Sequence, residues 1–434
     1  MKADVDTHAE LQGYARTIAS GAAHAAVAPV DAAFVWLRKN APLARAELDG
    51  FPPFWIVTRH ADISEISRQS ALFSSERRPM SLIPSSMEAL IRRRTGGAPY
   101  LLRTLLQMDP PDHLEHRALV QARFTNNTLQ ALRERLQALA RAEVQALIDA
   151  DGSCDFAATA AVNYPFAAIM ELLGVPEHER ATMRQLVNLT LAPADGSNNL
   201  ALSGATLESK ASIVDHALAE MFESVAAYFA DYSETARARV ENNLTSVLAN
   251  ATLRGEPLTH STAASYFILL VLAGFETTAF SIATGMQILS EHPELLRRLR
   301  AAPELIRNFV EECVRWATPS RHFMRTATAD TTLRGQHIAE NDWLMLCYPS
   351  ANRDEEIFEA PFEFRIDRPS NPHLGFGHGA HKCLGLRLAR LEMETFWQAL
   401  LPRLHAVEAA GPAVRSRSVL VSGVKNLPVR CQFV

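Results

Sequence analysis

Apolar and polar positions along this chain fall mostly into helical periods, with a few short alternating runs between them. Phe34-Val35-Trp36-Leu37 belongs to a helical pattern, and Trp55-Ile56-Val57-Thr58 favours a strand. A short helix is predicted over 61–69. From there to about Met108 the chain carries Pro79, Pro84, Gly96, Gly97 and Pro99, and is predicted as a long irregular loop of the kind that often sets specificity. The helical period returns from His113 to about Ile148, where Arg133, Arg135 and Arg141 alternate with Leu132, Leu136, Leu139 and Val144. More helix is predicted over Phe166–Leu173 and Glu177–Leu191, then a loop over Ala192–Gly204, then a long helix over Leu207–Tyr232.

The most apolar stretch follows. Thr259 is placed to cap a helix that runs through Phe267, Leu270, Phe275 and Ile288 to His292-Pro293, where proline favours termination. About 32 residues rising ~1.5 Å each make it roughly 48 Å long, enough to cross a whole domain. Helices over Pro293–Ala301, Pro303–Ala317 and Leu384–Leu400 and strands over Thr331–Leu333, Trp343–Leu346, Ser418–Val421 and Val429–Val434 complete the set. No repeat, Gly/Ser linker or charge block divides the chain, so residues 1–434 read as one large, mainly α domain with small β-sheets.

Composition narrows the class. The 434 residues are 48% hydrophobic, ample for a large core. The formal charge of −5, from 43 basic and 48 acidic residues of mixed placement, excludes a basic nucleic-acid domain. The polar start shows no secretory signal, and the strongest apolar run, Phe267 to Phe275, is too short to span a bilayer. A cytoplasmic protein without a membrane segment is expected. Cys154, Cys313, Cys347, Cys383 and Cys431 are odd in number and lack C-x-x-C spacing, which argues against a disulfide scaffold. Four of them read as small buried hydrophobes.

Cys383 differs because of its neighbours, Phe376-Gly377-His378-Gly379-Ala380-His381-Lys382-Cys383-Leu384-Gly385. Zinc would ask for further ligands; His378 and His381 are close in sequence, but no second cluster matches them. A lone axial thiolate suits heme iron. Glycines at 377 and 379 permit a sharp turn, and the helix start that follows favours negative charge at sulfur. Gly385 would let the helix pass close to a flat cofactor, and Phe376 would shield the sulfur. A second signal is Ala273-Gly274-Phe275-Glu276-Thr277-Thr278 inside the long helix. Gly274 weakens the helix locally, Thr277 can bond back to a carbonyl or outward to a ligand, and Glu276 can relay protons. A third is Glu312-Cys313-Val314-Arg315, an acid and a base on one helix face; by spacing alone this is a common surface pair. A fourth is distributed: His113 and Arg117 share a helix face after Asp109-Pro110-Pro111-Asp112, and Arg325 follows Pro319.

Over essentially its full length the chain resembles the cytochrome P-450 family of heme-thiolate monooxygenases. The family pattern Phe-Gly-x-Gly-x-His-x-Cys-x-Gly is met by Phe376, Gly377, Gly379, His381, Cys383 and Gly385. The resemblance implies a triangular helical-prism fold with small sheets and heme b as cofactor. It gives Cys383 the role of iron ligand, and His113, Arg117, Arg325 and His381 contacts to the heme carboxylates. Glu276 and Thr277 match the acid–threonine pair of oxygen activation. Glu312 and Arg315 become a buried pair fixing the cysteine loop. The arginine the family often places before the meander phenylalanine is here Glu363, leaving Arg365 or Arg368 to complete that network.

The implied reaction inserts one atom of O2 into an organic substrate and reduces the other to water with two electrons and two protons. The chain carries no flavin domain, so the electrons are expected from an iron–sulfur ferredoxin and an NAD(P)H-dependent ferredoxin reductase. Lys382, Arg387 and Arg390 are candidates for the docking face, and the protein is expected to be a monomer. Leu269, Leu272 and Ala273 from the long helix, with Phe323, Val421 and Ser422, are the expected substrate contacts. Among bacterial relatives the chain looks most similar to the alpha-terpineol-hydroxylating group, in Phe323-Met324-Arg325-Thr326-Ala327, in 348–356 and in His373-Leu374-Gly375-Phe376-Gly377. That implies a compact terpene, aromatic or other cyclic hydrocarbon. A steroid or fatty-acid hydroxylase is the nearest alternative. A noncatalytic heme sensor and a zinc hydrolase are more remote.

Overall fold

The computed structural model describes residues 2–191 and 243–434, together with Glu223, Ala227, Tyr228, Glu234, Ala236 and Arg237. The loop expected over Ala192–Gly204 lies outside the described residues, as does most of the helix expected over Leu207–Tyr232, of which Glu223, Ala227 and Tyr228 are described and helical. The chain groups into two compact units, each assembled from three stretches: 1–114, 302–386 and 414–425 in the first; 115–301, 387–413 and 426–434 in the second. Because the stretches interleave, no single linker marks the division in the sequence.

The first unit is built on a five-stranded sheet ordered Leu43–Ala46, Phe54–Val57, Trp343–Cys347, His322–Ala327, Phe73–Ser74. Only the Phe54–Val57 and Trp343–Cys347 pair is parallel. Both faces are covered. Met324, Met345 and Cys347 pack under the N-terminal helices with Ile18, Val30, Phe34 and Leu37, while Leu344 and Leu346 pack with Ile63 and Ile66 of the helix His60–Arg68. Two-sided burial explains why Trp343–Cys347 reads as a continuous apolar run rather than an alternating one. Helix Ile306–Ala317 buries Phe309, Val310, Cys313 and Val314 in the same unit.

Two expectations change here. The loop predicted up to Met108 contains a helix, Ser85–Arg94, entered from Pro84 and supported by Glu88, whose carboxylate accepts from Arg92 one turn on and from Arg78. The strand predicted over Ser418–Val421 is a turn; the strands flanking it are Val414–Arg415 and Val424–Asn426, and only Val421 bridges, to Ser320.

The second unit is helical. Ala160–Leu173 packs against Asn126–Asp149 and Glu276–Glu291, with a three-stranded sheet of Leu404–Ala409, Pro428–Phe433 and Ser153–Asp155 beside them. The Thr259 hydroxyl accepts from Thr262 N at 3.2 Å, as an N-cap should. The long helix ends at Glu291, before Pro293, but is interrupted: His260–Gly274 and Glu276–Glu291 meet at Phe275. Taken through that break it is long and apolar enough to cross a membrane, and 67% of its most apolar window is buried in the protein.

Candidate functional site

The cysteine loop closes on its own backbone. Cys383 N donates to Phe376 O at 2.8 Å, Lys382 N to Gly379 O at 3.1 Å, and Gly377 N to Leu374 O at 2.9 Å. Gly377 and Gly379 have φ of 67° and 68°, a region that costs a side chain about 1–2 kcal/mol. At Gly379 the constraint is also spatial, since a Cβ would lie 1.8 Å from the Ser67 carbonyl oxygen. The loop is thereby seated against the end of helix His60–Arg68, where Arg68 Nε donates to His378 Nε2 at 3.1 Å. A Cβ on Gly385 would stand 4.0 Å from Cys383 Sγ, and the helix starts at Leu386, three residues beyond the cysteine. Cys383 is half-buried. The other four cysteines are thiols that burial pushes up, Cys431 to about 12.

Behind the loop stands the network hinted at by the Glu312–Arg315 spacing. Both side chains are fully buried. The Glu312 carboxylate accepts from Arg315 Nε (2.7 Å) and Nη2 (2.6 Å), Arg365 N (2.8 Å), Arg368 Nε (3.1 Å) and Asn371 Nδ2 (3.0 Å). Burial alone would raise its pKa; the bonds and charge of Arg315, then Arg365 N–H and Arg368, outweigh burial and hold it below the usual carboxylate range. The open choice between Arg365 and Arg368 is resolved: Arg368 supplies the side chain, Arg365 only its backbone N–H. Arg315 Nη1 donates to Asn352 O (2.9 Å), and Asn352 Oδ1 accepts from Leu374 N (2.6 Å), two residues before Phe376. Asn352, to which the sequence assigned no role, therefore links the ion pair to the cysteine loop.

The same unit gathers basic groups. The rings of His113 and His381 are 4.2 Å apart. His381 Nε2 shares a 3.1 Å hydrogen bond with Ser75 Oγ, and Ser75 N donates to Asp109 Oδ1 at 2.7 Å. Arg325, on the central strand pair, is 6% exposed. Its guanidinium makes one hydrogen bond, Nη1 to Met324 O at 2.8 Å, and pairs with no carboxylate among the described residues. Burial lowers its pKa, opposed by Tyr348 and Asp109. A buried cation with most of its donors unspent fits an anionic ligand with carboxylates, such as the propionates of heme. Arg117, which belongs to the second unit, follows His113 one turn along helix Asp112–Gln121. Among the described residues no three His, Cys, Asp or Glu side chains gather to hold a metal ion.

In the second unit Thr277 Oγ1 donates to Ala273 O at 3.0 Å and Thr278 Oγ1 to Gly274 O at 3.3 Å, so two hydroxyls flank the break at Phe275. Gly274 is closely packed: a Cβ would come within 2.5 Å of Ile169 Cδ1, so that side chain would have to shift. Most of this helix is buried, but Leu269, Leu272 and Ala273, then Glu276 and Thr277, retain exposure at helical spacing. They form one apolar stripe that ends in an acid and a hydroxyl. In the first unit, Phe323 is half-buried against Tyr348, with ring centroids 6.1 Å apart, and Val421 is half-buried at its turn. Ser422 is buried, its hydroxyl given to Ser416 O at 3.2 Å and its N–H to Pro319 O at 2.9 Å; these bonds shape the turn.

Comparison with known proteins agrees in family. A family model described as Cytochrome P450 matches residues 92–411. Cytochrome P450-terp from a Pseudomonas species is 39% identical over 92% of both chains. A steroid C26-monooxygenase from Rhodococcus jostii is 32% identical over 91% of this chain and 80% of its own. The crystal structure of CYP108D1 from Novosphingobium aromaticivorans superposes with a TM-score of 0.87 at 34% identity, covering 97% of this chain and 98% of the other.

Proposed function

This chain belongs to the cytochrome P450 family, and from that premise we propose that it hydroxylates a small hydrophobic cyclic substrate, a terpene or an aromatic hydrocarbon. Membership makes it a heme-dependent monooxygenase that uses O2 and electrons from outside the chain. That sets aside the sensor and zinc-hydrolase alternatives. Bound heme would supply O2 activation, and the thiolate that would hold its iron would donate electron density to it.

The geometry of each unit supports the following assignment of residue roles. Cys383 would hold the iron, the one cysteine in a glycine-shaped loop. Arg325, His381, His113 and Arg117 would hold the propionates, and Phe376 and Gly385 would border the ligated face. Glu276 brings protons to the stripe, and Thr277 passes them on when its hydroxyl turns from Ala273 O. Leu269, Leu272 and Ala273 of the second unit and Phe323, Val421 and Ser422 of the first are the proposed substrate contacts, Ser422 also holding the turn that carries Val421. Electrons come from an iron–sulfur ferredoxin served by an NAD(P)H-dependent reductase, for which exposed Lys382 and Arg387 are candidate contacts. The protein acts as a cytoplasmic monomer.

The observation that carries the substrate reading is the stripe: small and aliphatic side chains left uncovered on a buried helix, with no charge until Glu276. The terpene-named relative supports the same class. A visible-spectrum titration of the ferric protein with cyclic terpenes, fused aromatics, steroids and fatty acids tests it. A saturable low-spin to high-spin shift confined to one compact cyclic class is expected. A shift with steroids or long chains alone would favour the alternative that the steroid C26-monooxygenase relative suggests.

A further inference from the structure

The imidazole of His322 joins two distant segments of the first unit. Its Nε2 accepts from Leu82 N at 2.9 Å, and its Nδ1 donates to Val419 O at 2.9 Å. A backbone N–H can only donate and a carbonyl can only accept, so one neutral tautomer, protonated at Nδ1, satisfies both. The ring is fully buried. Burial lowers its pKa to about 4, opposed by the Val419 bond and aided by a lesser effect of the Arg321 charge, so it is neutral at ordinary pH.

The partners matter more than the bond count. Leu82 lies in the segment that leads into helix Ser85–Arg94, and Val419 lies in the turn that presents Val421. Neighbouring bonds run along the same seam: Met324 N to Met80 O (2.8 Å), Arg321 N to Leu420 O (2.8 Å) and Ser422 N to Pro319 O (2.9 Å). These are backbone ties of the strand to one segment or the other. Among the described residues, His322 is the one that holds both with a single side chain. Alternation along the strand turns His322 away from Phe323 and Arg325, toward the face where Leu82 and Met324 pack. It thus acts without facing the apolar lining. Arg321 Nε in turn donates to His24 Nδ1 (3.2 Å), while His24 Nε2 donates to Ile18 O (2.9 Å), so this neighbouring cation is fixed as well.

We propose that His322 is a positioning residue for substrate specificity, a strut that sets the spacing between the segment at Leu82 and the turn carrying Val421. The inference rests on the reading of Val421 and Phe323 as substrate-lining. A ring that fixes the turn carrying Val421 against the segment leading into helix Ser85–Arg94 controls where a compact substrate is held and which carbon is hydroxylated, not the oxygen chemistry.

The test compares wild type with His322→Leu, His322→Asn and His322→Gln as heme-loaded, full-length proteins. Leu removes both ties. Asn keeps an N–H near the Nδ1 position for Val419 O, and Gln keeps an acceptor near the Nε2 position for Leu82 N. Three readouts are taken: the reduced carbon-monoxide spectrum, product ratios with the best cyclic substrate, and hydrogen exchange of peptides spanning 79–84 and 416–423. The Leu variant is expected to keep the thiolate-type spectrum, scramble the product ratio, weaken substrate binding about tenfold, and exchange faster in both peptides. The Asn variant should loosen chiefly 79–84 and the Gln variant chiefly 416–423, each with a partial change in product ratio. Wild-type product ratios together with wild-type exchange in the variants would overturn the inference, as would lost stability with unchanged regiochemistry. If the Leu variant fails to fold, the Asn and Gln variants decide by the same criteria. If no cyclic compound binds wild type, the substrate reading fails, and the strut is judged by exchange and by product ratios with whichever class does bind.

Discussion

Replacing Arg315 with Met should cost far more than replacing Arg368 with Met, although both arginines bond the same carboxylate. Arg315 gives Glu312 two bonds, at 2.6 and 2.7 Å, and both partners are fully buried. Its loss removes two charge-assisted bonds and leaves a buried carboxylate with Arg368 as its remaining side-chain cation. The cost of breaking such a pair is about 3–5 kcal/mol. Arg315 also serves the carbonyls of Asn352, Pro361 and Glu363 at 2.9 Å each, and Asn352 carries the effect to Leu374 N. Arg368 gives Glu312 one bond at 3.1 Å, worth about 1.5–3 kcal/mol. Its other bonds go to the carbonyls of Glu359, Ala360 and Glu363, which lie near the surface, where water replaces most of what is lost. Against a typical domain stability of about 5–15 kcal/mol, Arg315→Met should leave little margin and Arg368→Met a workable one. Denaturant midpoints at constant m, with the heme-to-protein ratio after purification, measure this. Arg315→Met should lose most of its heme and Arg368→Met should keep most of it. Equal destabilisation by the two, or Arg315→Met with full heme and a loss below about 1 kcal/mol, would refute the argument that the two-bond buried pair dominates.

Three further outcomes are expected. Thr277→Ala should retain heme yet divert reducing equivalents to peroxide or water, with product formed per NAD(P)H falling about tenfold, the value of one hydrogen bond; normal coupling would remove Thr277 from its role. Gly379→Ala should cost at least about 1–2 kcal/mol from its positive φ, and more from the Ser67 carbonyl it would displace, seen as heme loss on gel filtration. Glu392 is fully buried and neither carboxyl oxygen has a hydrogen-bond partner among the described residues, so burial holds its pKa well above the usual value. The folded state then keeps a proton that the unfolded chain releases above about pH 4.3, and stability falls as pH rises from there toward the folded-state pKa. Glu392→Gln should therefore stabilise the protein more at pH 8 than at pH 5, by about 1.4 kcal/mol per unit of pKa elevation traversed; an equal effect at both pH values would show that Glu392 is ionised when folded.

What the sequence made legible was whatever backbone chemistry dictates locally. The cysteine loop was readable because only glycine tolerates φ near 68° with a carbonyl 1.8 Å from its missing Cβ, so the residue type reports the geometry. The cap at Thr259 and the stop at Pro293 were readable for the same reason. Contacts between distant segments were not. Arg365 and Arg368 differ by three positions in an irregular segment, and nothing in their spacing says which side chain reaches Glu312. The helix Ser85–Arg94 was hidden by the prolines and glycines around it, although Glu88 and Arg92 stood at the i, i+4 spacing that could have revealed it. His322, Asn352 and Ser75 carry no motif at all. Each matters because of the backbone atom or ring it meets from a segment 22 to 306 residues away, counting only the bonds from Asn352 to Leu374 N and from Ser75 to His381, with His322 to Leu82 N between them at 240. The chemistry of this family is concentrated in short motifs, so the reaction class is visible in a few residues. Specificity is spread over the ties that hold apolar segments in place, and only a folded chain shows which atoms are tied.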